Sequence, residues 1–384
     1  MWTQRLQNAR VLSVLQQGLV LAIVAAVFYV LAHNASLNLK ALNIASGFDF
    51  LSQRAGYDIS FKLIDFTPND SYGRAYLVGL LNTLLVSVMS VVTATVVGVA
   101  LGLCKVSENW LINRLAGATI EFLRNVPLVV HLVWWYGLAL ALPGVRQAVS
   151  IFDVAYLSNS GLMLPWPEQG SLVGWGLALM ALGALLGLIA CRFRDAKAKW
   201  RSFTPRRWPL LLAGAVLLPL LVYALSDAHW HWEVPVAKGF GFKGGVALVP
   251  ELLALWLALS FYSASYIAEI VRGAIQSVQR GQYEAAKALG FEYGPTMRQL
   301  IVPQAIYPMI PQVTNTYLNI VKNSSLGVVI GFMEMVSSTG GTTLNQTGQA
   351  IECIALVMGT YCIMSLLISI AMNIYNHRIG QRGH

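Results

Sequence analysis

Eight runs of apolar residues punctuate the chain, at 11–32, 76–103, 119–142, 172–190, 209–226, 250–271, 306–335 and 350–375. A helix that crosses the hydrocarbon core of a bilayer needs ~20 mostly apolar residues. The pattern therefore predicts an all-α integral membrane protein with about eight transmembrane helices. The runs 172–190 and 209–226 are short, and 119–142 is interrupted. Two arginines precede the first run, but the stretch after it, His33-Asn34-Ala35-Ser36-Leu37-Asn38, has no small-residue cleavage site. We expect it to be retained as a span rather than cleaved as a signal.

Composition fits this picture. Of 384 residues, 56% are hydrophobic and 11% charged, against about 25% charged in soluble domains. The net charge of +9 would suit a polyanion, but the basic residues sit in short loops between apolar runs. That placement points to membrane topology and away from nucleic acid. With the N-terminus inside, the segments 1–10, 104–118, 191–208, 272–303 and 377–384 hold 17 Lys and Arg, and the outer segments 33–75, 143–171 and 227–249 hold 7. The segment 191–208 alone has seven and should stay inside. We expect both termini in the cytoplasm and the protein in a bacterial inner membrane. Trp166, Trp175, Trp230 and Trp232 gather at the opposite face, where interfacial aromatic belts sit. The four cysteines, Cys104, Cys191, Cys353 and Cys362, read as small apolar residues.

Four parts follow along the chain: an N-terminal helix and outer loop (1–75), a first core part (76–142), an insert of loops around a helical hairpin (143–249), and a second core part (250–384). Without the first span and the insert, five spans remain.

Two of those five are unlike lipid-facing helices. The run 119–142 contains Glu121, Arg124, Asn125, Pro127 and His131; the run 306–335 contains Pro308, Pro311, Asn315, Asn319, Lys322, Asn323 and Glu334. A charge at mid-bilayer costs about 2.5–3.5 kcal/mol on insertion scales, so such residues face protein, water or the interface. Glu121 and Arg124, three apart, could instead pair locally at the cytoplasmic edge. Asn315, Asn319 and Asn323 recur every four residues and share one helical face, with Lys322 beside it. In the run 76–103, Asn82 and Ser90 lie on one stripe. A zwitterionic solute needs donors for its carboxylate and acceptors for its ammonium. These amides, Asn82, Asn315 and Asn319, and the Lys322 cation are candidates for a pathway, or for bonds between helices.

The cytoplasmic segment 272–303 predicts a helix over 282–289, a left-handed turn at Gly290, and a second helix beginning near Pro295. Two short helices at an angle make a protruding knob with a small-residue face, Ala285, Ala286 and Ala288, and Glu284 at its edge. Nothing in it can cleave ATP, so it reads as a transmission element.

The stretch Glu284-Ala285-Ala286-Lys287-Ala288-Leu289-Gly290, followed by Ile301-Val302-Pro303-Gln304-Ala305, resembles the EAA loop of ABC-importer permeases. Pro311-Gln312, Lys322-Asn323-Ser324-Ser325-Leu326, Glu121-Phe122-Leu123-Arg124-Asn125-Val126-Pro127-Leu128 and Gly79-Leu80-Leu81-Asn82-Thr83-Leu84 resemble the polar amino-acid branch of that family. The resemblance covers 76–142 and 250–376, and the added first span and insert resemble the longer permease of general L-amino-acid transporters. It implies a five-helix core that pairs with a second, homologous permease. Two ATPase subunits would grip the EAA loops at Glu284, Ala285, Ala286 and Gly290. A periplasmic binding protein would deliver the amino acid. ATP and Mg would sit on the ATPase partners, since this chain has no Gly-x-x-x-x-Gly-Lys-Ser/Thr loop and needs no cofactor of its own. Two other classes are weaker. A secondary transporter would show inverted repeats, and a membrane enzyme would cluster its histidines, which here are scattered except for His229 and His231.

Overall fold

The computed structural model describes residues 2–41, 46–167, 232–239 and 241–380. The expected hairpin 172–190/209–226, the basic segment 191–208, Trp175, Trp230, Cys191, His229 and His231 lie outside the described residues. The chain divides into two compact units, residues 1–132 with 255–384, and residues 133–254.

The larger unit is helical. Helix α1 spans Trp2–Ala41, and its apolar stretch Leu15–Leu31 is exposed. Helix α2, Tyr72–Lys105, starts at Ser71, whose side chain accepts the Arg74 N–H and so satisfies one of the helix's four orphan donors. Then come α3 (Trp110–Asn125), α4 (Leu128–Leu140), α5 (Pro250–Gln276), α6 (Arg280–Ala288), the single turn α7 (Tyr293–Thr296), α8 (Val302–Asn323), α9 (Leu344–Thr347) and α10 (Ala350–Gly380). Among the described residues, three helices are long and apolar enough to cross a membrane: α2, α5 and residues 350–376 of α10. Helices α3 and α4 make a fourth span only as a pair bent by 101°. The expected single run 119–142 is thus a broken span, because Pro127 has no N–H to continue the ladder.

Helix α5 is the central one: 61% of its apolar window is buried, against 28% for α2 and 17% for α10. Helices α2 and α5 approach closely at Gly98 and Gly102. A methyl group at either would come within 2.8 Å of a backbone oxygen, Ala264 O or Ala268 O. Without a hydrophobic force between helices in lipid, such small-residue seams supply the van der Waals contact that joins them. Ala94, Ala264, Ile267, Val271, Ile301, Ala305 and Ile320 complete that core.

The expected run 306–335 is also not one helix. Helix α8 ends at Asn323, a tight turn of 3₁₀ helix covers Ser324–Ile330, Gly331 adopts φ +77°, and a wide turn of π helix follows at Val336–Thr343. Glu334 is buried at its start. Its carboxylate accepts the Val336 and Ser337 N–H groups, both at 2.8 Å, and the Tyr361 hydroxyl at 3.3 Å. From one residue ahead of the N-cap Met335, the carboxylate takes up N–H groups that the first turn leaves without a helical partner, which gives a physical reason for a carboxylate in an apolar run. The segment 46–71 folds onto this region: Phe50, Ala55, Ile59 and Phe66 pack with Tyr72, Ala75, Val78 and Cys353. Tyr57 donates to Ser338 O, Tyr72 to Gln346 Oε1, and the Gly47 N–H to Glu352 Oε1 at 2.8 Å.

The smaller unit holds what sequence reads as plain loops. They are short antiparallel strands instead. Strands β1 (Val149–Ile151), β2 (Ala155–Ser158), β3 (Gly161–Leu164) and β8 (Val246–Leu248) form one sheet in that order, with Leu157 opposite Leu162 and Leu162 opposite Leu248. Two further pairs are β4 (Trp166–Pro167) with β5 (Trp232–Glu233), and β6 (Val236–Lys238) with β7 (Gly241–Lys243). Gly244 and Gly245, both at positive φ, lead from β7 to β8 in the other sheet through backbone conformations that glycine adopts without steric cost.

Candidate functional site

The knob is built by helix-ending chemistry. Helix α6 runs Arg280–Ala288 with Leu289 as its last half-helical residue. Gly290 follows at φ +80°. Its N–H bonds Lys287 O at 3.0 Å, and the Phe291 N–H bonds Ala286 O at 3.0 Å. These two bonds define a Schellman motif, which needs a left-handed residue and hence glycine. The chain then turns into α7 at Tyr293, two residues ahead of Pro295, and continues through a wide turn, Met297–Ile301, into α8.

On this knob Glu284, Ala285 and Ala288 are exposed, while Ala286 is buried at 2% and faces the protein. The small-residue face is thus split: Ala286 packs inward and its neighbours point out. Sequence reasoning missed the apolar tip. Leu289 is 77% exposed and Phe291 42%, on either side of the one residue whose backbone fixes the turn. Burial pushes the Tyr293 phenol above its ordinary value, and the Glu108 carboxylate adds to the effect, so the root of the knob lies by the α2–α3 turn.

The second group of candidates lies on α8, which is continuous with the knob. Asn315, Asn319 and Lys322 are all exposed, on the same side as Gln304, Pro308, Pro311 and Gln312. The opposite side, Ala305, Ile310, Ile320 and Val321, is buried. Asn82 does not join them. It is fully buried on α2, and its amide nitrogen donates to Phe61 O at 2.8 Å and Met333 O at 3.0 Å. It ties the segment 46–71 and the turn before Glu334 to α2. Thr83 does similar work, accepting the Met335 N–H at 3.1 Å.

A model of the family described as binding-protein-dependent transport system inner membrane component matches residues 181–382. The amino-acid ABC transporter permease protein YhdX of Escherichia coli K12 is 49% identical over 366 residues, covering 94% of this chain and 93% of the relative. The chain belongs to this family. The general L-amino acid transport system permease protein AapQ of Rhizobium johnstonii is 41% identical, over 96% of this chain and 92% of the relative. The glutamate/glutamine/aspartate/asparagine transport system permease protein BztB of Rhodobacter capsulatus is 36% identical, over 97% and 94%. This inner-membrane component is accordingly a multi-pass transport subunit and not an ATPase.

Around the elbow of the broken span, this permease departs from the expected local pair. Among the described residues, the carboxylate within ion-pair distance of Arg124 is that of Glu269 on α5, at 3.9 Å, and not Glu121. The Arg124 guanidinium also lies 5.3 Å from the centroid of the Tyr266 ring. Inside the elbow, His131 Nε2 sits 3.0 Å from Leu123 O. That carbonyl lies four residues before Pro127 and so has lost its helical donor. The i−4 and i+4 neighbours of the proline, both visible in sequence, were the signal that could have found this bond.

Proposed function

We propose that the chain is the longer of two homologous permeases in a heteromeric importer of L-amino acids. The two permeases together form the path, a periplasmic binding protein delivers the solute, and two ATPase subunits bind and hydrolyse ATP with Mg. The single observation that carries this reading is the whole-length likeness to three amino-acid permeases, which align over 94%, 96% and 97% of the chain, insert included. The site geometry supports it. Glu284, Ala285 and Gly290, with Leu289 and Phe291 between and beside them, form the surface for the ATPase, and Ala286 anchors that surface to the protein. Asn315, Asn319 and Lys322 line the path. Neutral amides with one cation meet the carboxylate and the backbone polarity of many amino acids, without a fixed acid to select basic side chains. Asn82, with both amide hydrogens committed, holds the outer end together. Both termini lie in the cytoplasm, following the excess of Lys and Arg there.

Proteoliposomes carrying this chain, its partner permease and the ATPase test the proposal. Uptake of labelled L-amino acids should require ATP inside the ATPase-facing compartment and binding protein on the other side. Uptake that runs on a proton or sodium gradient without ATP would overturn it in favour of a secondary transporter.

A further inference from the structure

One carboxylate oxygen on α5 reaches the end of α3. Glu269 Oε2 accepts Nη2 of Arg272 at 2.7 Å and Nε at 3.0 Å, and lies 3.9 Å from Nη1 of Arg124. Arg272 stands at the root of the coupling segment 272–303, and its Nη1 holds Gln276 at 2.6 Å. Arg124 is next to last in α3, three residues before Pro127, and its guanidinium rests on Tyr266. The elbow itself is pinned. His131 closes the carbonyl that Pro127 orphans, and as the partner is a carbonyl, its Nε2 carries the proton. The ring is braced by Phe122 at 6.5 Å and Tyr262 at 6.1 Å. A pinned elbow moves as a unit, and Arg124 is its handle.

Two cations that share one oxygen compete for it. The Arg272 contacts are short and charge-assisted, and the Arg124 contact is loose. Glu269 and Arg272 ride on the same helix, α5, which leads into the coupling segment, so a shift of α5 carries the Arg272-held carboxylate with it and pulls on Arg124 and the elbow. We infer that Glu269 is a positioning residue for transport, tying the broken span at Arg124 to α5, the helix that leads into the coupling segment, while Arg272 on the same helix holds its carboxylate in place. The inference rests on reading 272–303 as the coupling segment.

The experiment uses the whole reconstituted complex, made with wild-type chain, Glu269→Gln, Glu269→Asp and Arg124→Gln. It reads amino acid taken up per ATP hydrolysed, and the distance between spin labels at Leu115 on α3 and Val130 on α4, with and without ATP. In wild type the distance should change with ATP. In Glu269→Gln and in Arg124→Gln, uptake per ATP should fall about tenfold, within the usual range for coupling between sites, and the distance should stop responding. Glu269→Asp, which keeps the charge, should regain part of both. Arg124→Gln leaves the Glu269–Arg272 root intact, so it decides the matter should Glu269→Gln fail to assemble. Wild-type uptake per ATP and a wild-type distance response in Arg124→Gln would overturn the inference while leaving the importer reading untouched. A wild-type complex whose uptake ignores ATP would instead overturn the reading beneath it.

Discussion

Replacing Gly290 isolates one physical quantity, the left-handed backbone at the tip of the knob. Its φ is +80°, and a Cβ added there would have nothing within 4 Å. The cost of a side chain is therefore conformational and not steric within this chain. An ordinary L-residue pays about 1–2 kcal/mol in that region. Valine pays more because it is β-branched, and asparagine less because it tolerates the conformation. If the turn opens to relieve the strain, the bonds Gly290 N–H to Lys287 O and Phe291 N–H to Ala286 O go with it. Each is worth about 0.5–1.5 kcal/mol net. By either route, Gly290→Ala should shift the knob by about 1–2 kcal/mol, or about tenfold for each 1.4 kcal/mol in binding of the ATPase. The assay is a titration of the ATPase onto the reconstituted permease pair, read by ATP-driven uptake. Conformation predicts the order glycine, asparagine, alanine, valine from best to worst. A clash with a docked ATPase would follow size and place alanine ahead of asparagine. That second order, or a Gly290→Val chain that binds like wild type, would refute the argument.

The α8 face and the buried glutamate give two further expectations. Asn315→Leu and Asn319→Leu should alter uptake or the profile of amino acids carried while the complex still assembles; if both variants carry every substrate like wild type, the face is only structural. Glu334→Gln should lower the melting temperature of the purified complex, because the new amide must point donors at the Ser337 N–H or at the Val336 N–H and Tyr361 hydroxyl. A buried donor without an acceptor costs about 1–3 kcal/mol, and an unchanged melting temperature would show that Glu334 does not cap the turn.

The apolar runs made the membrane class legible, because a bilayer tolerates few other compositions. Proline positions and the glycine that ends α6 were legible too, since each acts through local backbone chemistry. What sequence could not give is direction in the fold. Asn82 and Asn315 look alike as polar residues in apolar runs, yet Asn82 is spent on the carbonyls of Phe61 and Met333 and Asn315 faces outward. Which of the two occurs depends on what packs 21 and 251 residues away, and no periodicity records that. Arg124 shows the same limit. Its local partner Glu121 is the natural choice by helical spacing, but the carboxylate that the fold supplies comes from α5. The short strands in the loops of the insert were missed for another reason. Strands of three or four residues carry too few alternations to stand out beside spans of twenty.

The two interruptions of regular helix gain their meaning from where they fall. Helix α8 is about 33 Å long at 1.5 Å per residue and carries Pro308 and Pro311 inside it, so under the proposed coupling a displacement at Leu289 and Phe291 would reach Asn315 and Asn319 through a helix that can kink at the two prolines. The tight turn at Ser324–Ile330 and the glycine at 331 end it, and the wide turn from Val336 reverses the chain. That reversal exposes free N–H groups at depth, where an unpaired donor is costly, and Glu334 accepts two of them while Thr83 accepts a third. The segment 46–71 then seals the reversal through Tyr57, Tyr72 and Gly47. Buried polar residues that look like pathway candidates in sequence are thus the supports of a half-span. Asn315, Asn319 and Lys322, by contrast, stay exposed on α8, and we propose that they are the ones that meet the solute.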